Sequence, residues 1–268
     1  MTQVSGGADV IYGVSGQVAT ITFNRPDKRN RLTPEAMALA RVFIDQAVAD
    51  PEVRAVVMTG SGNTFCSGAD LTAAVQSVGD NFTNSGPAEL VLLLTAILDC
   101  PKPTIARVQG HVAAGGTGVV AACDIAVAVD DARFAFSEVR LGLAPAVISV
   151  VCLSVMNRRD AQELLLTGER VDADRVLRAG LLTGVVPAEA EISGALDAEV
   201  ARYAGMFAKA GPLALAYTKE LLRRVPTLDR AAGFTWTSEL SAGIFASAEG
   251  FEGMSAFLGK RLPEWDRS

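Results

Sequence analysis

Histidine is nearly absent from this chain: His111 is the only one in 268 residues. A metal site built from several histidines is thereby excluded, and no GxSxG elbow supplies a serine for a nucleophilic triad. Paired cysteines are lacking too. Cys66, Cys100, Cys123 and Cys152 stand far apart with no CxxC, which fits buried thiols in a reducing compartment better than a disulfide framework or a zinc site. No apolar run reaches the roughly eighteen residues of a membrane span. The opening MTQVSGGADV has neither the basic nor the apolar part of a secretory leader. The expectation is a cytoplasmic protein with no membrane partner. Basic clusters are also missing: 24 Lys and Arg stand against 30 Asp and Glu, for a net charge of -6. Nothing here would neutralise a phosphate backbone, so nucleic acid is not an expected partner.

What the chain does have is apolar substance, 50% of its residues, ample for a full core. Val18–Phe23 alternates as a half-buried strand does, and the turn Asn24–Lys28 closes it. Thr33 is a natural N-cap with Pro34 at the first helical position, followed by Met37, Leu39 or Ala40, Phe43, Ile44 and Val48 at helical spacing. Arg54–Thr59 reads as a buried strand. A helix over Glu89–Leu98, a strand over Thr104–Val108, a short helix, and strands at Asp124–Val129 and Arg133–Ser137 continue the pattern. Such alternation predicts an α/β fold with a largely parallel sheet or spiral, every connection a crossover. From about Leu196 the pattern is helical only. Residues 1–195 therefore read as the core and 196–268 as a helical region, either a second domain or an assembly surface.

The stretch GHVAAGGTGVV (110–120) gathers four glycines and the single histidine. A dinucleotide site is one reading, since Gly116-x-Gly118-x-x-Ala121 follows a strand and opens a helix. The helix is short, however, and the acidic pair Asp130-Asp131 comes too soon. His111 as a base or ligand is a second reading, and glycines that merely allow close packing are a third. The fourth uses the backbone. A helix start presents unpaired N–H groups, and glycine lets a ligand oxygen approach them, which makes half an oxyanion hole. The turn in FCSGADL (65–71) offers another N–H for the other half.

NRPDKRN, FCSGADL, the glycine turn followed by ACDIAVA, FAFSEVRLGLAP and the ending GFEGMSAFLGKRLPEW occur in that order. Together they resemble the enoyl-CoA hydratase/isomerase, or crotonase, family across nearly the whole chain. The resemblance implies a crotonase-like spiral of ββα repeats with a helical C-terminal region that mediates trimers, commonly paired into hexamers. It implies an acyl-CoA thioester as substrate and no cofactor, coenzyme A being part of the substrate. The amides of Ala69 and Gly115 would hold the thioester oxygen as it becomes an enolate. Lys28, Arg29, Asp70 and Leu71, with Ala69, would receive the nucleotide end of CoA. Phe257 and Lys260 would reach it, often from a neighbouring subunit. Acyl-chain selection would fall to residues 73–94, with Val75, Val78 and Phe82 as candidates, and to the helical tail.

The family's hydratases use two glutamates. By motif position the first falls on Gly118, which has no side chain, and the second on Glu138, flanked by Phe134, Phe136, Val139 and Leu141. The apolar flanks predict a dry setting and a raised carboxyl pKa. A single carboxylate beside an oxyanion hole suits a Δ3,Δ2-enoyl-CoA isomerase. Branches that share SEVRLGLAPAVIS and the glycine are associated with hydration of branched substrates such as methylglutaconyl-CoA. Hydration through Glu138 is the favoured expectation, isomerisation the alternative, and a catalytically silent acyl-CoA binder a third. Arg31 replaces the small residue the family commonly has after the asparagine.

Overall fold

The computed structural model describes residues 5–7, 9–70, 85–188 and 194–266. The alternating segment becomes strand β3 (Val18–Phe23), with Ala19, Ile21 and Phe23 facing the core. On one side it pairs antiparallel with β2 (Val10–Ser15), which pairs antiparallel with β1 (Ser5–Gly7). On the other it pairs in parallel with β4 (Ala55–Gly60). The antiparallel start corrects the expectation of crossovers throughout. Ser15 pairs with Val18, leaving a two-residue turn led by Gly16 at φ 58°. A left-handed first residue is what such a hairpin asks for.

Helix α1 (Pro34–Ala49) starts as its sequence directs: Thr33 accepts the Ala36 N–H, Pro34 holds the first turn, and Met37, Ala40, Phe43 and Ile44 are buried. It packs on α2 (Ser85–Asp99). After β4 the chain forms the short β5 (Thr64–Cys66) and, beyond α2, β6 (Thr104–Val108) and β7 (His111–Ala113). Then follow α3 (Gly115–Ala122), β8 (Ile125–Val129) and β9 (Arg133–Ala135). Every residue of β4 is buried, as continuous apolar runs in a covered parallel sheet should be.

Beyond β9 lie α4 (Ala146–Val155), α5 (Arg158–Thr167), β10 (Arg170–Asp172), α6 (Ala173–Arg178) and β11 (Gly184–Val186). Two sheets result. The larger runs β1-β2-β3-β4-β6-β8-β11 and the smaller β10-β9-β7-β5. In the smaller sheet β5, β7 and β9 are parallel and β10 is antiparallel to β9.

The last four helices are α7 (Gly194–Ala208), α8 (Pro212–Arg224), α9 (Arg230–Phe245) and α10 (Ala248–Leu258). Helix α7 lies across the large sheet, burying Val200 and Ala204 beside Ala55, Val57 and Ile105. Helices α9 and α10 pack on each other, and α9 buries only Gly233. All four cysteines are buried and free. Among the described residues, no helix is long and apolar enough to cross a membrane.

Candidate active site

Because β5, β7 and β9 are adjacent and parallel, their C-terminal ends share one edge of the small sheet. The edge beyond strand C-termini is where open α/β sheets place ligands. Three segments leave it: Ser67–Asp70 after β5, Ala114 and the start of α3 after β7, and Phe136–Glu138 after β9.

The first segment is held by a short ladder. Ser67 N–H donates to Arg29 O (3.0 Å), Leu32 N–H to Gly68 O (2.8 Å) and Asp70 N–H to Leu32 O (3.2 Å). In that pattern the intervening residue turns its own amide to the other side. Ala69 N–H thus faces away from Leu32. Gly68 takes φ 95°, open in practice only to glycine.

In the second segment Ala114 adopts φ 47° and ψ -122°, a strained backbone for a residue with a side chain. Surrounding bonds impose it. Its N–H donates to Ala135 O (3.0 Å), and its carbonyl accepts from the Thr117 N–H (2.8 Å) and Thr117 hydroxyl (2.6 Å). The strain ends at Gly115, whose N–H opens α3. A Cβ placed on Gly68 would lie 2.7 Å from Ala114 Cβ and 3.4 Å from Gly115 N. The two turns therefore touch. Among the described residues neither Ala69 N–H nor Gly115 N–H donates to an acceptor.

Glu138 begins the third element, a 3-10 turn over Ser137–Leu141. Its Oε2 is buried and has no hydrogen-bond partner among the described residues. Burial pushes its carboxyl above the ordinary glutamate value, against a smaller opposing effect of its own backbone N–H. The Cys152 thiol of α4 donates to Thr117 O of α3 at 3.9 Å. Of the apolar flanks, Phe134 and Phe136 are fully buried, whereas Leu141 is 55% exposed.

Gly118 is not an empty space awaiting a carboxylate. A Cβ there would meet Ile148 Cγ2 at 2.6 Å and Leu94 Cδ1 at 3.5 Å. Similarly, a Cβ on Gly116 would meet Cys66 Cβ and O at 2.8 Å. The glycines of the dinucleotide pattern thus face packed protein, and α3 ends within eight residues. His111 is exposed at the start of β7, the opposite end from Gly115.

Of the CoA candidates, Lys28 and Arg29 are exposed on a turn whose Arg29 carbonyl holds Ser67, so they adjoin the first segment. Asp70 forms an ion pair with Arg31 at 2.9 Å, a contact sequence reasoning missed because the partners are 39 positions apart. Leu71, Val75, Val78 and Phe82 lie outside the described residues. Phe257, 83% exposed, and Lys260, at φ 51°, sit at the end of α10 and, among the described residues, make no bond to the other candidates. The structure brings Ala69, Gly115 and Glu138 to one sheet edge and leaves Phe257 and Lys260 on the helical surface.

The fold and this arrangement of strand ends are those of the crotonase-fold enoyl-CoA hydratases. A solved enoyl-CoA hydratase of Mycobacterium smegmatis superposes with a TM-score of 0.88 at 33% identity, covering 96% of this chain and 98% of that one. Another, from Shewanella pealeana, gives 0.88 at 31%, covering 96% of each. The family model described as "Enoyl-CoA hydratase/isomerase" matches residues 13–268. Enoyl-CoA hydratase EchA19 of Mycobacterium tuberculosis is 33% identical over 269 residues, 99% of each chain. The chain belongs to the enoyl-CoA hydratase/isomerase family.

Proposed function

We propose that the protein adds water across the 2,3 double bond of an acyl-CoA thioester, with Ala69 and Gly115 holding the thioester oxygen and Glu138 moving the proton. The observation that carries this reading is the contact of the two turns, with both amides unengaged among the described residues. An unfilled pair of N–H donors, one at a helix start, suits an oxygen that gains negative charge. Glu138, on the neighbouring strand end, takes a proton from water as the water oxygen bonds to the β-carbon. The double-bond electrons move to the thioester oxygen, where the two amides hold the enolate. The proton then passes from Glu138 to the α-carbon as the carbonyl re-forms. The reaction needs no cofactor beyond the CoA of the substrate.

A second reading is favoured by Ile148. Its side chain lies against Gly118, so the space where a second carboxylate would stand is filled by apolar Ile148 and Leu94. One carboxylate suffices for a Δ3,Δ2 isomerase: Glu138 removes an α-proton and returns it to the γ-carbon.

The test is product analysis on 2-enoyl-, 3-enoyl- and methylglutaconyl-CoA, with Glu138→Gln alongside. Gain of the mass of water on a 2-enoyl ester, reduced about a hundredfold or more in the variant, supports hydration. Conversion of the 3-enoyl ester at unchanged mass, without hydration, transfers the assignment to isomerisation. Binding of the thioesters with no turnover leaves only the silent reading.

A further inference from the structure

Cys66 is the last residue of β5 and is fully buried. Its Sγ accepts the Gly68 N–H at 3.4 Å, an ordinary length for a bond to sulfur. The same side chain lies against α3: a Cβ on Gly116 would sit 2.8 Å from Cys66 Cβ and 3.1 Å from its Sγ. One side chain therefore touches the residue immediately before Ala69 and the residue immediately after Gly115. Gly68, at φ 95°, lacks the steric restraint a Cβ would impose on its backbone. The bond to sulfur is the tether on its amide.

We propose that Cys66 is a positioning residue for the carbonyl-binding amides, fixing the Ala69 turn at a set distance from the start of α3. This rests on the assignment of Ala69 and Gly115 as donors to the thioester oxygen. The thiol is not itself a reactant: burial pushes its pKa up to about 12, so it stays neutral and acts as a hydrogen-bond acceptor and a spacer. Donors aimed at developing charge act through their placement. Loss of the tether should therefore weaken carbonyl polarisation and turnover more than substrate binding.

The experiment uses a saturated butyryl-CoA carrying 13C at the thioester carbonyl, which binds without reacting. The infrared carbonyl stretch is compared free and bound, for the wild type, Cys66→Ala and Cys66→Ser, with kcat, KM and thermal stability measured on each. In the wild type, binding lowers the stretch. In Cys66→Ala it returns part of the way to the free value, and kcat falls about three- to tenfold, the worth of one ordinary hydrogen bond, with KM little changed. Cys66→Ser, which keeps an acceptor, recovers both.

An unchanged stretch and kcat in Cys66→Ala, or equal losses in the alanine and serine variants, would overturn the proposal. If the alanine variant does not fold, Cys66→Val, which fills the space without accepting a bond, is compared with Cys66→Ser under the same criteria. A wild-type protein that binds the thioester with no change in its carbonyl stretch would instead defeat the amide assignment itself. The two failures are thus distinguishable.

Discussion

The carboxyl of Glu138 holds its proton more tightly than an exposed glutamate does, because burial of the carboxyl, with Oε2 unbonded among the described residues, outweighs the one bond from its own backbone N–H. A folded-state pKa above the unfolded value means that ionisation opposes folding. At a pH below both values the carboxyl is protonated in either state and the effect vanishes. As pH rises through the window between them, the wild type loses stability. Glu138→Gln cannot ionise and escapes that loss. Its melting temperature should exceed the wild type's at neutral pH and converge with it in acid, a comparison that differential scanning calorimetry makes directly. Equal melting temperatures at neutral pH would remove the burial account of this residue. The wild type's rate should also fall on the acid side with a midpoint above the ordinary glutamate value, since the base must be ionised to work.

At the scale of elements, the site depends on how the segment from Arg25 to Leu32 is pinned to the turn after β4. Asn30 does the pinning. It is buried in the left-handed region at φ 52°. Its amide donates to Ser61 O (2.9 Å) and Thr64 O (2.6 Å), and its carbonyl oxygen accepts the Arg25 N–H (2.8 Å). From there the Arg29 and Leu32 backbones carry the ladder that aims Ala69. Asn30→Ala removes all three bonds; Thr64 O keeps a donor in Gln109 Nε2, while the Arg25 N–H and Ser61 O lose theirs, at a cost of about 1–3 kcal/mol. Urea unfolding reads this as a lowered midpoint, and turnover of the folded fraction should fall with it, since the Ala69 turn loses its support.

The sequence made elements of this kind legible to unequal degrees. Thr33-Pro34 declared the start of α1, and strict alternation declared β3, since cap chemistry and period-two burial are local signals. The three-residue strands β10 and β11 had no room for a pattern and were missed, as was β2, whose VIYGVS blurs its alternation with a glycine. Ala69, Gly115 and Glu138 were proposed from motifs; that the Ala69 and Gly115 turns touch, and that Glu138 shares their sheet edge, depends on the order of β5, β7 and β9, a long-range fact. The filling of Gly118's surroundings by Ile148, 30 positions on, is equally invisible in one dimension.

At the scale of the whole molecule, the helical tail carries an exposed apolar surface. Helix α9 and its neighbour expose Phe234 (71%), Phe245 (66%), Phe251 (71%) and Leu258 (81%), together with Phe257. Large aromatics gathered on one region seldom face water in a stable monomer. That surface suits the trimer or hexamer the family resemblance implies, which sedimentation velocity should then find, and Phe234→Glu, which sets a charge in that surface, should shift it toward monomer. A monomeric wild type would end this account. An assembly would also decide the standing of Lys260, which no bond joins to the candidate site segments among the described residues. If it reaches CoA on a neighbouring subunit, Lys260→Ala should raise KM a few-fold, about what a partly exposed ion pair contributes, with kcat unchanged. In the Phe234→Glu background the same change should then do nothing further, because the neighbour has already gone. Additive effects on KM would place Lys260 at its own subunit's site, and no effect in either background would take it out of CoA binding.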